Sequence, residues 1–115
     1  MRTNSEIQLR GNLGSNPEVI ALQSGTSCSK FPLAVSHWYK KPNGETLEST
    51  SWFNVVAYGK VAQSIQQNLA KGCRVLLFGE MLQRTWTDKD GKQQYGYEVA
   101  VSSYELIQIP KKNDN

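Results

Sequence analysis

The sequence predicts an all-β domain in which five antiparallel strands close into a barrel, with one short helix between the third and fourth strands and long β-hairpins. Three observations carry this. Apolar and polar residues alternate along most of the 115 residues, the period-two mark of half-buried strands. Asn43-Gly44 and Asp90-Gly91 sit between such runs as tight hairpin turns. Only residues 60–69 change period, with Val61, Ile65 and Leu69 recurring at i, i+4 and i+8.

The elements follow in order. Ile7, Leu9 and Leu13 share one face of a first strand, which Gly11 and Gly14 interrupt, and Asn16-Pro17 bends the chain before Glu18–Leu22. After a turn at residues 24–27, Phe31, Leu33, Val35 and Tyr39 alternate through a second strand into the hairpin tip Lys41-Pro42-Asn43-Gly44-Glu45. The returning strand sets Trp52, Asn54, Val56 and Tyr58 on one face and Phe53, Val55 and Ala57 on the other. Both faces are apolar enough to need a partner, and one core satisfies only one of them. The helix ends before Gly72. The fourth strand runs over 74–86 with Gly79 at a bulge or sharp bend. Past the Asp90-Gly91 turn, Tyr95, Tyr97, Val99 and Val101 alternate in the fifth. A flat sheet of these strands would leave open edges and a wet apolar face, so the order points to the closed OB-fold. The domain is expected over residues 1–109, with 110–115 as a short polar tail.

Composition narrows the function. A net charge of +3 is a mild basic bias, compatible with a polyanionic partner. No run of apolar residues is long enough to span a membrane, and the N-terminus has neither signal-peptide nor presequence character. Cys28 and Cys73 lie far apart with no metal-ligand spacing and read as reduced thiols of a cytosolic protein, a disulfide being the minority reading. The single histidine, His37, reads as a structural residue, and Asp88 and Asp90 as turn residues. No phosphate loop, nucleophile motif or ligand cluster occurs, so the expectation is a non-enzyme with no cofactor and no metal.

What remains is aromatic and basic. Trp38, Tyr39, Trp52, Tyr58 and Trp86 fall at hairpins or on the non-core strand face, close in sequence to Lys40, Lys41, Lys60, Lys71, Arg84 and Lys89. Unpaired bases need flat rings to stack on and cations along the phosphates, and this inventory supplies both. Duplex recognition would want a basic groove-entering helix, whereas residues 60–71 carry lysines only at their ends. Tyr95 and Tyr97 read as packing residues.

The segments GNLGSNPEV (11–19), WFNVVAYGK (52–60), LAKGCRVLLFGEM (69–81) and RTWTDKDGKQQYGYEV (84–99) resemble the bacterial and mitochondrial single-stranded DNA-binding proteins over residues 6–109. The resemblance implies an OB-fold, a homotetramer, and single-stranded DNA wrapped without strong sequence preference in replication, recombination or repair. It implies stacking on Trp52, Tyr58, Trp86 and either Tyr39 or Trp38. Alternation with Phe31, Leu33 and Val35 favours Tyr39 and leaves Trp38 open. Lys60, Lys71 and Arg84 match basic positions along the DNA path, and Lys40 and Lys41 stand beside the first ring. Phe53 is a candidate for the core or a subunit interface. Asn54 and Thr85 stand where relatives often carry cations, which implies a smaller electrostatic share of binding. The chain stops at PKKNDN without a long linker and acidic tip, so tail-mediated recruitment of replication or repair proteins is not expected. The expected location is cytoplasmic and nucleoid-associated, the mitochondrial matrix being the minority reading. The runner-up function is an OB-fold module of primosomal type that acts mainly through protein contacts.

Overall fold

Alternation over so much of the chain builds six strands and one helix in the computed structural model, which describes residues 5–110. Residues 111–115, nearly all of the expected polar tail, lie outside the described residues. The order is β1 (Ile7–Leu13), β2 (Glu18–Ala21), β3 (Ser27–Lys40), β4 (Thr46–Tyr58), α1 (Gly59–Asn68), β5 (Arg74–Thr87) and β6 (Gln93–Gln108). The sheet runs β1-β5-β6-β4-β3-β2, and a further pairing of β1 with β3 closes five of the strands into a barrel.

Two features depart from the expected pattern. The β4–β6 seam is parallel, at Val55–Val99 and Val56–Ala100. Five strands in a ring cannot alternate direction all the way round, so one parallel seam is a requirement of closure. The second is β2, formed by residues the alternation left outside the barrel. At 14 residues β3 outreaches β1, which pairs with it only at Leu33 and Ala34. β2 covers the edge left open at Ser27–Lys30, which removes an exposed row of backbone donors and acceptors.

The barrel is filled by Phe31, Leu33, Val55, Ala57, Val75, Leu77 and Val99, all buried. α1 plugs one end with Ala62 and Ile65, joined by Leu69 at its C-terminal cap. Ser29, the one fully buried polar side chain among the described residues, donates to the Ala62 carbonyl at 3.1 Å and accepts from Gln66 Nε2 at 2.8 Å. These two bonds offset the cost of taking the hydroxyl out of water. Gly79 lies at a register shift between β5 and β6. A Cβ there would come within 2.1 Å of the Ala100 carbonyl oxygen, so the bend requires glycine.

The second apolar face of β4 has a partial answer. Val56 is fully buried outside the barrel with Cys28 and Ala100, under Ile20 of β2 and Leu82 of β5. The rest of that face stays open. β3–β4 and β5–β6 both continue past the barrel as two-stranded arms, and their register decides where the aromatic rings go.

Candidate nucleic-acid interface

Directly paired residues on neighbouring strands share a face. Phe31–Val55 and Leu33–Phe53 define the core side of β3–β4. The intervening pairs, Trp38–Glu48, Ala34–Trp52, Pro32–Asn54, Lys30–Val56 and Cys28–Tyr58, therefore face outward. Across the parallel seam Val56 pairs with Ala100, and from there Leu82–Glu98, Arg84–Gly96 and Trp86–Gln94 carry the outward face onto β5–β6. Trp38, Trp52, Tyr58, Arg84 and Trp86 thus occupy one outer surface that spans both arms.

Trp38 stands four residues along β3 from Ala34, the register partner of Trp52, about 14 Å at roughly 3.4 Å per residue. Sharing the alternation of Phe31 and Leu33 takes Tyr39 to the opposite side from Trp52. Of the two candidates left open by the sequence, the register groups Trp38 with the other tryptophans.

The three indoles are 63%, 62% and 52% exposed for Trp38, Trp52 and Trp86, so each offers a ring face to solvent. Two are held against glycines. A Cβ on Gly14 would lie 2.5 Å from the Trp52 ring, beside Pro32, and one on Gly96 would lie 3.1 Å from the Trp86 ring. Each of these two rings rests against a glycine while staying more than half exposed, which suits a stacking platform. Tyr58 is fixed through its hydroxyl, which accepts from Arg84 Nη2 at 3.2 Å. Arg84 Nε in turn donates to Glu98 Oε1 at 2.5 Å. That hydrogen bond holds the guanidinium still further above its ordinary value. The cation is positioned, but its charge is already matched by a carboxylate.

The other cations divide by place. Lys40, paired with Thr46, continues the outer face beyond Trp38, and Lys41 begins the hairpin turn. Lys60 lies in α1 over Ser102 and Ser103 of β6, next in space to Tyr104. Lys71 leads into β5, and its backbone N–H donates to Asn16 Oδ1 at 2.8 Å, near the turn on which Trp52 rests. Asn54 faces outward, whereas Thr85 pairs with Tyr95 on the other face of its arm. Phe53 is partly buried and packs against the barrel core. Tyr95 and Tyr97, read from sequence as packing residues, are 59% and 60% exposed. Tyr97 joins Trp52, Phe53, Met81 and Val99 around an apolar recess where the two arms part.

Sequence reasoning missed Lys30 and Glu98. Both face outward, in a recess with Pro32 and Asn54 on the floor between Trp52 and Tyr58. Alternation could have found Lys30, an even position opposite the apolar odd ones. Glu98 needed the β5–β6 register.

The residues set aside as structural behave so. His37 Nε2 hydrogen-bonds Ser51 Oγ at 3.1 Å in the open. Asp88 accepts from the Asp90 and Lys92 backbone N–H groups, each at 2.9 Å, and from Gln94. Those bonds, that from Gln94 foremost, lower its carboxyl below the ordinary value. Cys28 and Cys73 are buried free thiols. Among the described residues no group of three His, Cys, Asp or Glu side chains is placed to hold a metal ion, and no helix is long and apolar enough to cross a membrane.

With this geometry in place, comparison with known proteins is specific. The model of the single-strand binding protein family matches residues 4–107. Single-stranded DNA-binding protein 1 of Xylella fastidiosa is 34% identical over 116 residues, covering 100% of this chain and 84% of that protein. A solved complex of a Plasmodium falciparum SSB with single-stranded DNA superposes with a TM-score of 0.83 at 25% identity, over 94% of this chain and 100% of that one. Barrel, braced rings and sequence agree, and the chain belongs to the single-strand binding protein family.

Proposed function

We propose that this protein binds and protects single-stranded DNA without strong sequence preference, as a non-catalytic component of replication, recombination or repair. One observation carries the proposal: three tryptophans, each more than half exposed, share an outward face with Tyr58 and Arg84. Exposed indoles cost solubility and are retained where they meet a flat, apolar partner. Bases stack on Trp38, Trp52, Tyr58 and Trp86, with Tyr39 at the margin, while Lys40, Lys41, Lys60 and Lys71 follow the phosphates and Arg84 fixes Tyr58. The same exposed rings favour this reading over a primosomal-type module acting through protein contacts. The test is anisotropy of a labelled dT oligomer against a duplex of equal length. Tighter binding of the single strand is expected, and equal binding of the two would contradict the proposal.

We further propose a homo-oligomer, a tetramer of two-fold symmetry. Leu106 and Ile107 at the end of β6, and Ile109 just past it, are exposed, and the recess between the arms is apolar, both calling for cover. Phe53 is the candidate at that recess. Light scattering should give about four times 12.9 kDa, and the monomer mass of 12.9 kDa at micromolar concentration would contradict it. A cytoplasmic, nucleoid-associated location goes with the bacterial relative.

A further inference from the structure

Trp86 stands one residue before the end of β5, where the arm is a ribbon of two strands. Such a ribbon is only marginally stable by itself, yet a stacking ring works from a fixed position. The indole rests against Gly96, on the barrel side of its own level in the arm. Gln94 stands directly opposite Trp86 on the same outward face, and side chains paired in this way start about 5 Å apart at Cβ.

The turn beyond Trp86 is built on Asp88. Its Oδ1 accepts from the backbone N–H groups of Asp90 and Lys92, and that atom alone satisfies the turn. Asparagine would serve as well, since its one amide oxygen accepts in the same way. The second oxygen, Oδ2, has a different partner: it accepts from Gln94 Nε2 at 2.8 Å. A carboxylate is thus kept two residues from a stacking ring, on a surface proposed to meet phosphates, and its extra bond is one the turn does not need. That bond draws the Gln94 amide towards the tip of the arm, away from Gly96 and the indole lying on it. Unheld, so long and flexible a side chain would be free to cover the ring.

We propose that Asp88 is a positioning residue for base stacking on Trp86, acting through Gln94. The inference rests on the binding function proposed above and adds to it a residue whose charge has the wrong sign for a direct contact. Asp88 Oδ2 holds Gln94, and Gln94 held towards the tip leaves the exposed part of the indole to a base.

The test is Asp88→Asn in the full chain, which keeps an oxygen for the turn and sets an amide N–H₂ where Gln94 needs an acceptor. Removal of a negative charge alone would tighten binding to a polyanion; loss of position should weaken it. Affinity for a labelled dT oligomer should fall about fivefold, the lower end of what one stacked ring is worth. Gln94→Met cuts the same bond without a change of charge and should give a similar loss. The exchanged pair Asp88→Asn/Gln94→Glu reverses the bond, an amide at position 88 donating to a carboxylate at position 94, and should restore the affinity at unchanged net charge. In a Trp38→Phe/Trp52→Phe background all indole emission comes from Trp86. Its anisotropy in the free protein should drop with Asp88→Asn and recover in the exchanged pair, which a general loss of stability would not produce. Equal or tighter binding by Asp88→Asn, no loss with Gln94→Met, or a loss that the exchanged pair does not recover would overturn the positioning role and leave the binding function intact. Failure of the unmodified protein to bind the oligomer would overturn the function and the positioning role together.

Discussion

Glu98 places a negative charge in the middle of a surface proposed to receive a polyanion, and removing that charge should tighten binding. Its carboxylate is only 18% exposed and accepts from Arg84 Nε at 2.5 Å, while Arg84 is 45% exposed. Glu98→Gln keeps the size and leaves an amide oxygen to accept the same hydrogen bond, so Tyr58 should stay braced by Arg84 Nη2. What changes is the charge: one full positive unit becomes uncompensated between Tyr58 and Trp86. A unit charge about 4 Å from a phosphate in water-like surroundings is worth about 1 kcal/mol, or about fivefold in affinity at low salt. The log–log salt slope should steepen by about 0.7, one added phosphate. With the arginine end of the pair 45% exposed, the folded state should lose about 1 kcal/mol. Titration with a dT oligomer at several salt concentrations, beside a thermal melt, reads all three. Weaker binding with a flatter slope would refute the reasoning, because it would show that Glu98 orients Arg84 for phosphate instead of neutralising it.

Other expectations follow from the same surface. Trp52→Ala should weaken single-strand binding by about 1–3 kcal/mol, the usual worth of one stacked base; unchanged affinity with a lowered melting temperature would make Trp52 a packing residue. Trp38→Ala should cost more affinity for dT oligomers than Tyr39→Ala, since Trp38 shares the face of Trp52; the reverse order would contradict the register argument. The salt dependence of the unmodified protein should be real but shallow, because uncharged stacking persists when phosphates are screened. Lys60→Ala should flatten the slope by no more than about 0.7, and Arg84→Ala by less because Glu98 already matches its charge. Loss of all binding at high salt would contradict this division between rings and cations.

Much of this was legible in the residues, for a physical reason. In β4, Phe53, Val55 and Ala57 alternate with Trp52, Asn54, Val56 and Tyr58, so once one set enters the barrel the other must face out. The turns at Asn43-Gly44 and Asp90-Gly91 and the bend at Gly79 were equally local, fixed by backbone geometry at single residues. What local pattern could not supply was pairing. The parallel seam rests on two residue pairs, Val55–Val99 and Val56–Ala100, and only closure of an odd ring demands it. β2 exists because β3 outruns β1, a comparison of lengths between elements. Val56 faces outward yet is buried, because Ile20, from a strand the alternation did not include in the barrel, covers it. Arg84 looked like a free cation until Glu98 came beside it across the β5–β6 pair.

The central claim is that the exposed indoles of Trp38, Trp52 and Trp86 are a surface for unpaired bases. Quenching of intrinsic tryptophan fluorescence on titration with poly(dT), against a duplex of matched concentration, tests it most directly. Stacking should quench a large part of the emission with the single strand, reach saturation, and largely survive high salt, while the duplex leaves the emission almost unchanged. Binding of poly(dT) shown independently by anisotropy, with tryptophan emission unaltered, would contradict the account.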